Sequence, residues 1–505
     1  MSKMVLLAAL AGLGAALAPA KAALVILPDT TQGVTCSGGI CQSTTANAQL
    51  DVADLERLLS AGPVTVIGES QAQDIVVATP VRWASTSILT LKAYRSIVVQ
   101  SSIRAEGKSG LHIVTNDGGQ DGRFSITTGK VQFWDTGSDV VIDGDPYQLV
   151  NSVASIIAKS GDNMALANDY DAKPDGTYPH SPVHELDRHF EGFGNTISNL
   201  HVRDIANPAV GLFGTVYFGS VHNLNITNAS VVAAMSQGDS HWVGILAGTV
   251  AGGNVRNVTV TGKVLGAGGG TMTAGGMIGN AGADTENLHA DVSVKIRNQQ
   301  GGYAGGLVGE SHASLLRCSA RGKVQGGTSA NAGGLVGWNQ GPIIQCFAMG
   351  NVTSRGPNHV TVGGLVATNS DKIYDSYASG NVTGVDGSIV GPLVGRDQPN
   401  FGIASTITAS YALGIPKGGA GSKVGGVLGS DLCPAGSNKQ VYWDTKTSGI
   451  TDPSKGAGDV ANDPGLMALS HSQLKSGLPA GFDPTVWAEN GLTHGGLPFL
   501  IANRP

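Results

Sequence analysis

The chain has 505 residues, of which 75 are glycine, about twice the usual share. A hydrophobic content of 41% argues against a disordered chain, and the lack of a Gly-X-Y period excludes collagen. The formal net charge is −6, from 31 basic and 37 acidic residues, so the protein has no basic field to hold a polyanion. This composition indicates a turn-dense β structure and argues against nucleic acid as a partner.

The first 22 residues have the pattern of a secretory signal peptide. Lys3 precedes an apolar stretch from Val5 to Leu17, and small residues follow at Ala20 and Ala22. The apolar stretch is shorter than the roughly 20 residues that a membrane-spanning helix needs. We therefore predict export with cleavage after Ala22, and no transmembrane segment in the mature chain.

Residues 23–62 are predicted to form an N-terminal cap region. Cys36 and Cys41 lie five positions apart around two glycines, and export permits disulfides, so we predict that these two cysteines pair. The segment from Leu50 to Gly62 has helically spaced apolar residues and a glycine stop, which predicts a short helix. Such a helix would cover the open edge of stacked strands, which otherwise templates aggregation.

Two sections of β coils are predicted next. Residues 63–145 show alternating hydrophobic positions, and residues 146–210 add lead-in coils with a polar insertion loop rich in titratable groups. In that loop Asp169, Asp171 and His184 are candidates for a catalytic site, because glycoside hydrolysis needs carboxylates that converge on one face. A solvated insertion between coils is the alternative, and we favour it.

Residues 211–430 are dominated by a repeat with an anchor like Gly-Gly-Leu-Val-Gly. The central residues of successive anchors lie 28 to 34 positions apart. Such a period, in a glycine-rich chain without helical hydrophobic spacing, predicts a solenoid of β coils. Fixed glycines are explained by corners with positive φ or by very close backbone approach. The central residues are Leu212, Leu246, Met277, Leu307, Leu335, Leu365, Leu393 and Val427.

The simplest structure with these properties is a parallel β-helix, in which equivalent strands stack about 4.8 Å apart. Equivalent residues then form columns along the axis. Cys318 and Cys346 fall in one column on adjacent units, where we expect buried thiols rather than a disulfide. The acids of the repeat region occupy differing positions within their units, which predicts no acidic column. They are Asp239, Asp284, Glu286, Asp291, Glu310, Asp371, Asp375, Asp386 and Asp397.

The anchors and their flanking segments resemble a known family. FEGFGNTISNLHV begins at Phe190 before the first anchor, and VYWDTKTSGIT begins at Val441 after the last one. With these motifs in this order, roughly residues 147 to 505 resemble GLUG-motif-containing, filamentous-haemagglutinin-like bacterial proteins. The early coils are also similar to those of haemagglutinin-type adhesins. The resemblance implies a right-handed β-helix, the usual hand of parallel crossovers, with a small C-terminal closing module over residues 431–505.

The resemblance also implies a secreted or cell-surface protein with a structural or adhesin-like role. Long faces of hydroxyl and amide groups predict binding to glycans or other cell-surface polymers by many weak contacts. The alternative is a polysaccharide-degrading β-helix enzyme, a lyase or hydrolase, that uses the acidic and histidine-containing loop at 169–189. We favour binding over catalysis, and we predict no bound metal and no cofactor.

Overall fold

The structure is a computed structural model that describes residues 22–235, 240–297, 301–356 and 360–505. These residues form a nearly all-β parallel solenoid, which confirms the predicted fold class. Of the proposed signal peptide, residues 1–21 lie outside the described residues. The α-helices in the described ranges are α1 (Val52–Ala61), α2 (Val153–Ala158), α3 (Thr445–Ser448) and α4 (His471–Leu474), and the 3₁₀ turns are Lys173–Asp175 and His494–Gly496.

The N-terminal section stacks its coils into three sheets, and the chain visits each sheet in turn. The first sheet has the spatial order Phe124–Ile126, Ile97–Val99, Asp74–Val77, Ala23–Leu27 and Ala48–Asp51. The second has the order Val131–Phe133, Ile103–Ala105 and Val81–Trp83. The third runs through Val34–Ser37, Ile40–Ser43, Val64–Gly68, Ile88–Ala93, Gly110–Val114 and Asp139–Ile142.

The C-terminal section is also three-sided. Its anchor sheet, which follows the repeat anchors, contains Val183–Leu186, Phe213–Val216, Ala247–Val250, Ile278–Ala281, Val308–Ser311, Val336–Asn339, Val366–Asn369, Val394–Asp397 and Leu428–Asp431. Its flank sheet, which precedes the anchors, contains Ala209–Val210, Ser240–Val243, Thr271–Gly275, Gly302–Gly305, Asn331–Gly333, Thr361–Gly363, Ile389–Gly391 and Lys423–Val424.

The third side of this section is the long sheet. Its strands are Asp145–Val150, Met164–Leu166, Tyr170–Asp171, Phe190–Glu191, Thr196–Ser198, His201–Asp204, Ser220–Met235, Asn254–Gly268, Thr285–Arg297, Leu315–Leu316, Ser319–Ala320, Val324–Gly326, Ile343–Ile344, Phe347–Ala348, Val352–Ser354, Lys372–Tyr374, Tyr377–Ala378, Val382–Thr383, Thr406–Ala412, Pro416–Lys417, Lys439–Asp444 and Leu466–Leu469. A final antiparallel pair joins Trp487–Ala488 to Phe499–Leu500. Each repeat unit therefore corresponds to one coil.

The repeat anchors form one buried column along the axis. All eight predicted central residues are fully buried. The backbone N–H of Leu335 donates to the carbonyl of Leu365 (2.8 Å), and that of Leu365 donates to the carbonyl of Leu393 (2.7 Å). The same bond links the other anchors from Leu246 to Val427. The anchor is thus the point at which the backbone of each coil is held to the next.

The glycines before the anchors are required by close backbone approach, and they are paired before Met277, Leu307, Leu335, Leu365 and Val427. A Cβ atom on Gly334 would lie 2.0 Å from the carbonyl oxygen of Gly364, and one on Gly333 would lie 1.9 Å from that of Val336. Of the two explanations that the sequence left open, close approach therefore applies at the anchors. Side chains at these positions would force neighbouring coils apart.

Positive φ occurs in a different column, at a turn within the long sheet. Asparagines at three of these positions bond along the axis: Asn257 Nδ2 donates to Asn223 Oδ1 (3.0 Å), and Asn287 Nδ2 donates to Asn257 Oδ1 (2.9 Å). Asparagine tolerates this conformation better than most residues, so the ladder stabilises the turn. The column consists of Asn223, Asn257, Asn287, Arg317, Gln345, Asp375, Ala409 and Gln440, with φ from 47° to 56°.

The N-terminal edge is covered by α1 and a hairpin. Helix α1 buries Leu55 and Leu59, and the Glu56 carboxylate accepts a hydrogen bond from the backbone N–H of Arg82 on an edge strand (2.9 Å). The antiparallel hairpin of Val34–Ser37 and Ile40–Ser43 covers the third sheet. The helix thus lies where the sequence predicted a cap, and it satisfies an edge group of the first coils.

The two sections of the solenoid meet end to end. The backbone N–H of Val131 donates to the carbonyl of Phe193 (2.9 Å), and the Phe193 ring packs in the N-terminal core. Asn195 Nδ2 donates to the carbonyls of Val131 and Leu166, both at 2.8 Å. Hydrogen bonding therefore continues across the junction.

Glu191 lies fully buried beside this junction. Its carboxylate accepts hydrogen bonds from the Phe193 N–H (2.8 Å) and from Asn223 Nδ2 (3.0 and 3.1 Å). Burial raises the pKa of Glu191 to about 8, and these hydrogen bonds oppose the increase only in part. The carboxyl group is therefore protonated at neutral pH.

The C-terminal module has two parts, and the first of them, residues 431–470, covers the last coil. Trp443 is fully buried at the end of the core, and its indole N–H donates to the carbonyl of Ile450 (2.9 Å). The chain then crosses the edge of the anchor sheet, where the Leu428 N–H donates to the carbonyl of Gly456 (3.1 Å) and the Gly458 N–H donates to the carbonyl of Leu428 (3.0 Å). These contacts cover the backbone groups of the final anchor strand.

The other part of the module, residues 471–505, runs back along the outside of the long sheet. Trp487 Nε1 donates to Asp375 Oδ1 (2.9 Å), and Asn503 Nδ2 donates to the carbonyls of Cys318 (3.0 Å) and Gln345 (2.9 Å). This differs from the expectation of a module that only closes the end. The physical reason is a column of aromatic side chains on the long sheet, which residues 471–505 shield from water. The rings that stack in this column or pack against its cover are Phe347, Tyr377, Tyr411 and Tyr442.

We predict that Gly334→Ala lowers the free energy of unfolding by about 1–3 kcal/mol, the usual effect of an overpacked core. The added Cβ atom would meet the Gly364 carbonyl oxygen at 2.0 Å, so the coils must shift. Chemical denaturation of the purified protein measures the change. Gly161→Ala is the control, because its Cβ atom meets nothing within 4 Å. Equal stabilities of the two variants would contradict the role assigned to close approach.

A second prediction concerns Glu191→Gln. The pKa of Glu191 in the folded protein is raised to about 8. The stabilisation contributed by its bound proton is therefore complete at pH values below the pKa of Glu191 in the unfolded chain, and it is lost as pH rises toward 8. Relative to the variant, the wild-type free energy of unfolding should fall by up to about 1.4 kcal/mol per pH unit within this window. Denaturation between pH 5 and pH 8 tests this, with the exposed Glu185→Gln as control. Parallel curves for wild type and Glu191→Gln would refute it.

Candidate functional site

The acidic candidates of the insertion loop are engaged in local contacts. Asp169 forms an ion pair with Lys130 (2.7 Å) and accepts the backbone N–H of Thr196 (2.8 Å). Asp171 accepts hydrogen bonds from Asn199 Nδ2 (2.7 Å) and from the Lys173 N–H (3.0 Å), which lower its pKa. Both carboxylates are exposed at the edge of the long sheet. Their contacts hold the loop against the coils.

The third candidate, His184, lies on another sheet. It is an exposed residue of Val183–Leu186 in the anchor sheet, whereas Asp171 belongs to the long sheet. Between them, Asp175 accepts the hydroxyl hydrogens of Tyr170 (2.6 Å) and Tyr178 (2.5 Å). Within the described ranges the structure does not gather Asp169, Asp171 and His184 into one group of potential metal ligands. These contacts are typical of an insertion that is held against the coils, and they do not assemble a catalytic centre from the three candidates.

The outer face of the anchor sheet presents a regular row of side chains. The third residue of each strand lies in register with its equivalents in the coils above and below. The row consists of Glu185, Thr215, Thr249, Asn280, Glu310, Trp338, Thr368, Arg396 and Ser430, of which Thr368 and Ser430 are buried and the others are exposed or partly exposed. Its hydroxyl, amide, carboxylate and guanidinium groups repeat at the strand spacing of about 4.8 Å.

An aromatic patch lies in the middle of this row, and we define it as Tyr303, Glu310, His312, Trp338 and Gln340. The rings of Tyr303 and Trp338 stack with centroids 5.2 Å apart and an interplanar angle of 29°. The His312 and Trp338 rings meet edge to face, with centroids 6.2 Å apart and an interplanar angle of 67°. Both stacked rings are half-buried, so the coils hold them in place while part of each remains accessible.

Polar contacts fix the remaining side chains of the patch. His312 Nε2 lies 3.1 Å from Glu310 Oε1, and His312 Nδ1 lies 2.6 Å from Gln340 Oε1. The hydrogen bond to Glu310 raises the pKa of His312, with burial opposing it. Burial also raises the pKa of Tyr303, and the negative charge of Glu310 adds to this effect. The patch therefore combines rigid rings with oriented donors and acceptors.

The polar surface continues along the axis beyond the patch. Trp338 Nε1 donates to Ser370 Oγ at 3.5 Å, and Gln398 Nε2 donates to the same oxygen at 3.3 Å. Sequence analysis did not single out this patch. Its signal is a fixed offset, because Glu310 and Trp338 each come three residues after an anchor centre.

A polar column lies inside the coils, one position after the outer row. Asn339 Nδ2 donates to Asn369 Oδ1 (2.8 Å), and Asn369 Nδ2 donates to Asp397 Oδ1 (2.8 Å). Asp431 follows in register on the next coil. None of the other acids named from the repeat region lies in this column, and the carboxylate next to Asp397 comes from Asp431, just beyond that region. The overlooked signal is an offset of four residues after each anchor centre, which gives Ser311, Asn339, Asn369, Asp397 and Asp431.

The two carboxylates at the end of this column are buried and hydrogen-bonded. Asp397 also accepts the Ser405 hydroxyl (2.6 Å), and Asn438 Nδ2 donates to both Asp397 (3.4 Å) and Asp431 (3.0 Å). Burial raises the pKa of Asp397 to about 6. Burial raises that of Asp431 to about 7, with a contribution from the charge of Asp397.

Ligand-type atoms of Asp397, Asp431 and Cys433 lie within 4.8 Å of one another, a spacing that an ion could span. Their surroundings are those of a hydrogen-bonded acid pair. The Cys433 N–H donates to Asp431 Oδ1 (2.9 Å), and the side chains of Asn369, Ser405 and Asn438 donate to the carboxylates. We assign no metal ligands here, because both carboxylates already accept hydrogen bonds from neighbouring side chains and backbone.

The cysteines are placed as follows. Cys36 and Cys41 form a disulfide across the N-terminal hairpin. Cys318 and Cys346 form no disulfide and are buried on adjacent coils. The backbone N–H of Cys318 donates a hydrogen bond to Cys346 Sγ (3.2 Å). They therefore act as small side chains of the core. Cys433 is the partly buried free cysteine beside the acid pair.

These features define the class of the molecule: a repetitive parallel β-solenoid with a polar and aromatic outer face. Within the described ranges, no helix has both the length and the apolar character to cross a membrane. No protein-family model matches the chain.

Two known proteins are similar to parts of this chain. Halomucin of Haloquadratum walsbyi is 31% identical over an alignment of 197 residues, and the match covers 32% of this chain and 2% of halomucin, so the chain corresponds to a small fraction of that relative. A crystal structure of a candidate immunoglobulin A1 protease from Bacteroides ovatus has 18% sequence identity and a TM-score of 0.39. The match covers 70% of this chain and 92% of that one.

Proposed function

We propose that this protein is a secreted or surface-exposed adhesin-like structural protein that binds glycans or other cell-surface polymers. The signal-peptide pattern and the resemblance to GLUG-containing, haemagglutinin-like proteins support this location and class. The observation that carries the binding role is the aromatic patch on the outer face of the anchor sheet. It offers ring surface and directional polar groups together.

The patch has the chemistry that a carbohydrate needs. Tyr303 and Trp338 supply amphipathic aromatic surface, against which the C–H face of a sugar ring can pack. Glu310, His312 and Gln340 supply acceptors and donors for hydroxyl groups. Since mutual stacking and the coil backbone already hold the rings, little side-chain freedom is lost on binding.

The rest of the row extends this surface along the axis. Thr215, Thr249 and Asn280 remain partly exposed at the strand spacing of about 4.8 Å on the N-terminal side of the patch, and Arg396 is partly exposed on the other side. A linear polymer that lies along the row would meet an accessible side chain in each successive coil from Thr215 to Trp338. Many weak contacts would then act together, and affinity would come from multivalency rather than from one deep pocket.

The test is Trp338→Ala, with binding measured on a glycan array and by titration calorimetry with the glycans that bind. We expect at least about tenfold weaker binding, the usual effect of truncating a central aromatic contact. Trp134→Ala is the matched control, because Trp134 is an exposed tryptophan of the N-terminal section, away from the patch. Equal binding by the two variants would contradict the role of the patch. A wild-type protein that binds no glycan or cell-surface polymer would contradict the proposed function.

A further inference from the structure

Two loops at the C-terminal end of the solenoid expose apolar side chains. Residues 398–405, loop A, carry Phe401 and Ile403, which are 99% and 74% exposed. Residues 432–438, loop B, carry Leu432, which is 53% exposed. Such side chains gain little from their own packing, so other contacts must hold the loops in place.

The buried acid pair supplies the side-chain contacts that the two loops share, beside backbone hydrogen bonds such as those of Gln398 to Asn369 (3.0 Å) and of Leu432 to Asp397 (2.9 Å). Loop A is tied to Asp397 through the Ser405 hydroxyl (2.6 Å), and loop B is tied to Asp431 through the Cys433 N–H (2.9 Å). Asn438 at the end of loop B reaches both carboxylates, at 3.4 and 3.0 Å. Ser405 Oγ and Cys433 Sγ also lie 3.0 Å apart. The pair is thus the common attachment point of both loops.

The charges around the pair are mostly negative. The negative charge of Asp463 acts on Asp431 from the closing segment, whereas the Cys433 thiol, whose pKa burial raises, faces the pair from loop B. Asp459 accepts the Asp431 N–H (2.9 Å) and is itself paired with Lys423 (2.9 Å). In the described residues no cationic side chain forms an ion pair with either carboxylate of the acid pair. Two carboxylates buried this close together cannot both remain charged without a large loss of stability.

We propose that Asp397 and Asp431 bind protons in the closed state and act as a proton-dependent latch for loops A and B. While at least one proton is bound, the pair carries no more than a single negative charge, which its hydrogen-bond donors stabilise. When the last proton leaves for solvent, two negative charges face each other in the core. The loops then open, because opening brings water to the carboxylates.

The direction of the pH effect follows from the raised pKa values. Both carboxyl groups bind protons more tightly in the closed state than when hydrated, where the pKa is about 3.9. The contribution of the latch is therefore complete below about pH 4 and is lost as pH rises through about 6 and about 7. Acidic conditions close the loops, and mildly alkaline conditions release them.

Hydrogen exchange of the full chain, followed by mass spectrometry at pH 5 and pH 8, tests the latch. After correction for intrinsic exchange, exchange in loops A and B should rise at least about tenfold between these pH values. In Asp431→Asn the neutral amide should remove most of this rise. Asp187→Asn, at an exposed position, should behave like the wild type.

Several results would overturn the proposal. One is a wild-type protein whose loop exchange shows no corrected increase from pH 5 to pH 8, and this readout does not depend on any variant. Another is an unchanged pH dependence in both Asp431→Asn and Asp397→Asn. A third is protection of the loops at pH 8 by added Ca²⁺ or Zn²⁺ that disappears in Asp431→Asn. That result would make the pair a cation site.

Discussion

The close contact of backbones at the anchors is the constraint on which the rest of the structure depends. From Leu246 to Leu393 each anchor centre donates its N–H to the carbonyl of the next, and the preceding glycines allow carbonyl groups to lie where a side chain would otherwise be. This contact fixes the spacing and register of the coils. Register in turn decides which side chains become neighbours along the axis, so the asparagine ladder, the aromatic patch and the acid pair all follow from it.

Much of the fold could be predicted because repetition is visible in one dimension. The anchor spacing indicated the coils and their columns, and helix α1 was visible as apolar spacing with a glycine stop. The return of residues 471–505 along the long sheet was not predictable, because Phe347, Tyr377 and Tyr411 are separated by whole coils in sequence. Their need for cover becomes evident only when the coils are stacked.

The site was hidden for a related reason. Acids that cluster along the chain occur in the loop at 169–189, which made this loop the candidate site. Its carboxylates Asp169 and Asp171 instead form local contacts with Lys130 and Asn199. Trp338 and Asp397 are each isolated in sequence and gain neighbours only from adjacent coils. Inspection at fixed offsets from each anchor would have found both, but not their burial. The raised pKa values of Asp397 and Asp431 depend on that burial, and the pKa of Asp431 depends also on the charge of Asp397.

The returning C-terminal segment also has a mechanical consequence. Asn503 is bound to the coils of Cys318 and Gln345, well inside the solenoid, while Trp443 fills the core at its end. A pulling force on the last residues would therefore enter the rod near its middle. It would load the contacts of residues 471–505 with several coils together, in shear, instead of peeling the final coil away by itself. Under tension, the solenoid would gain resistance to unravelling from this route of the chain.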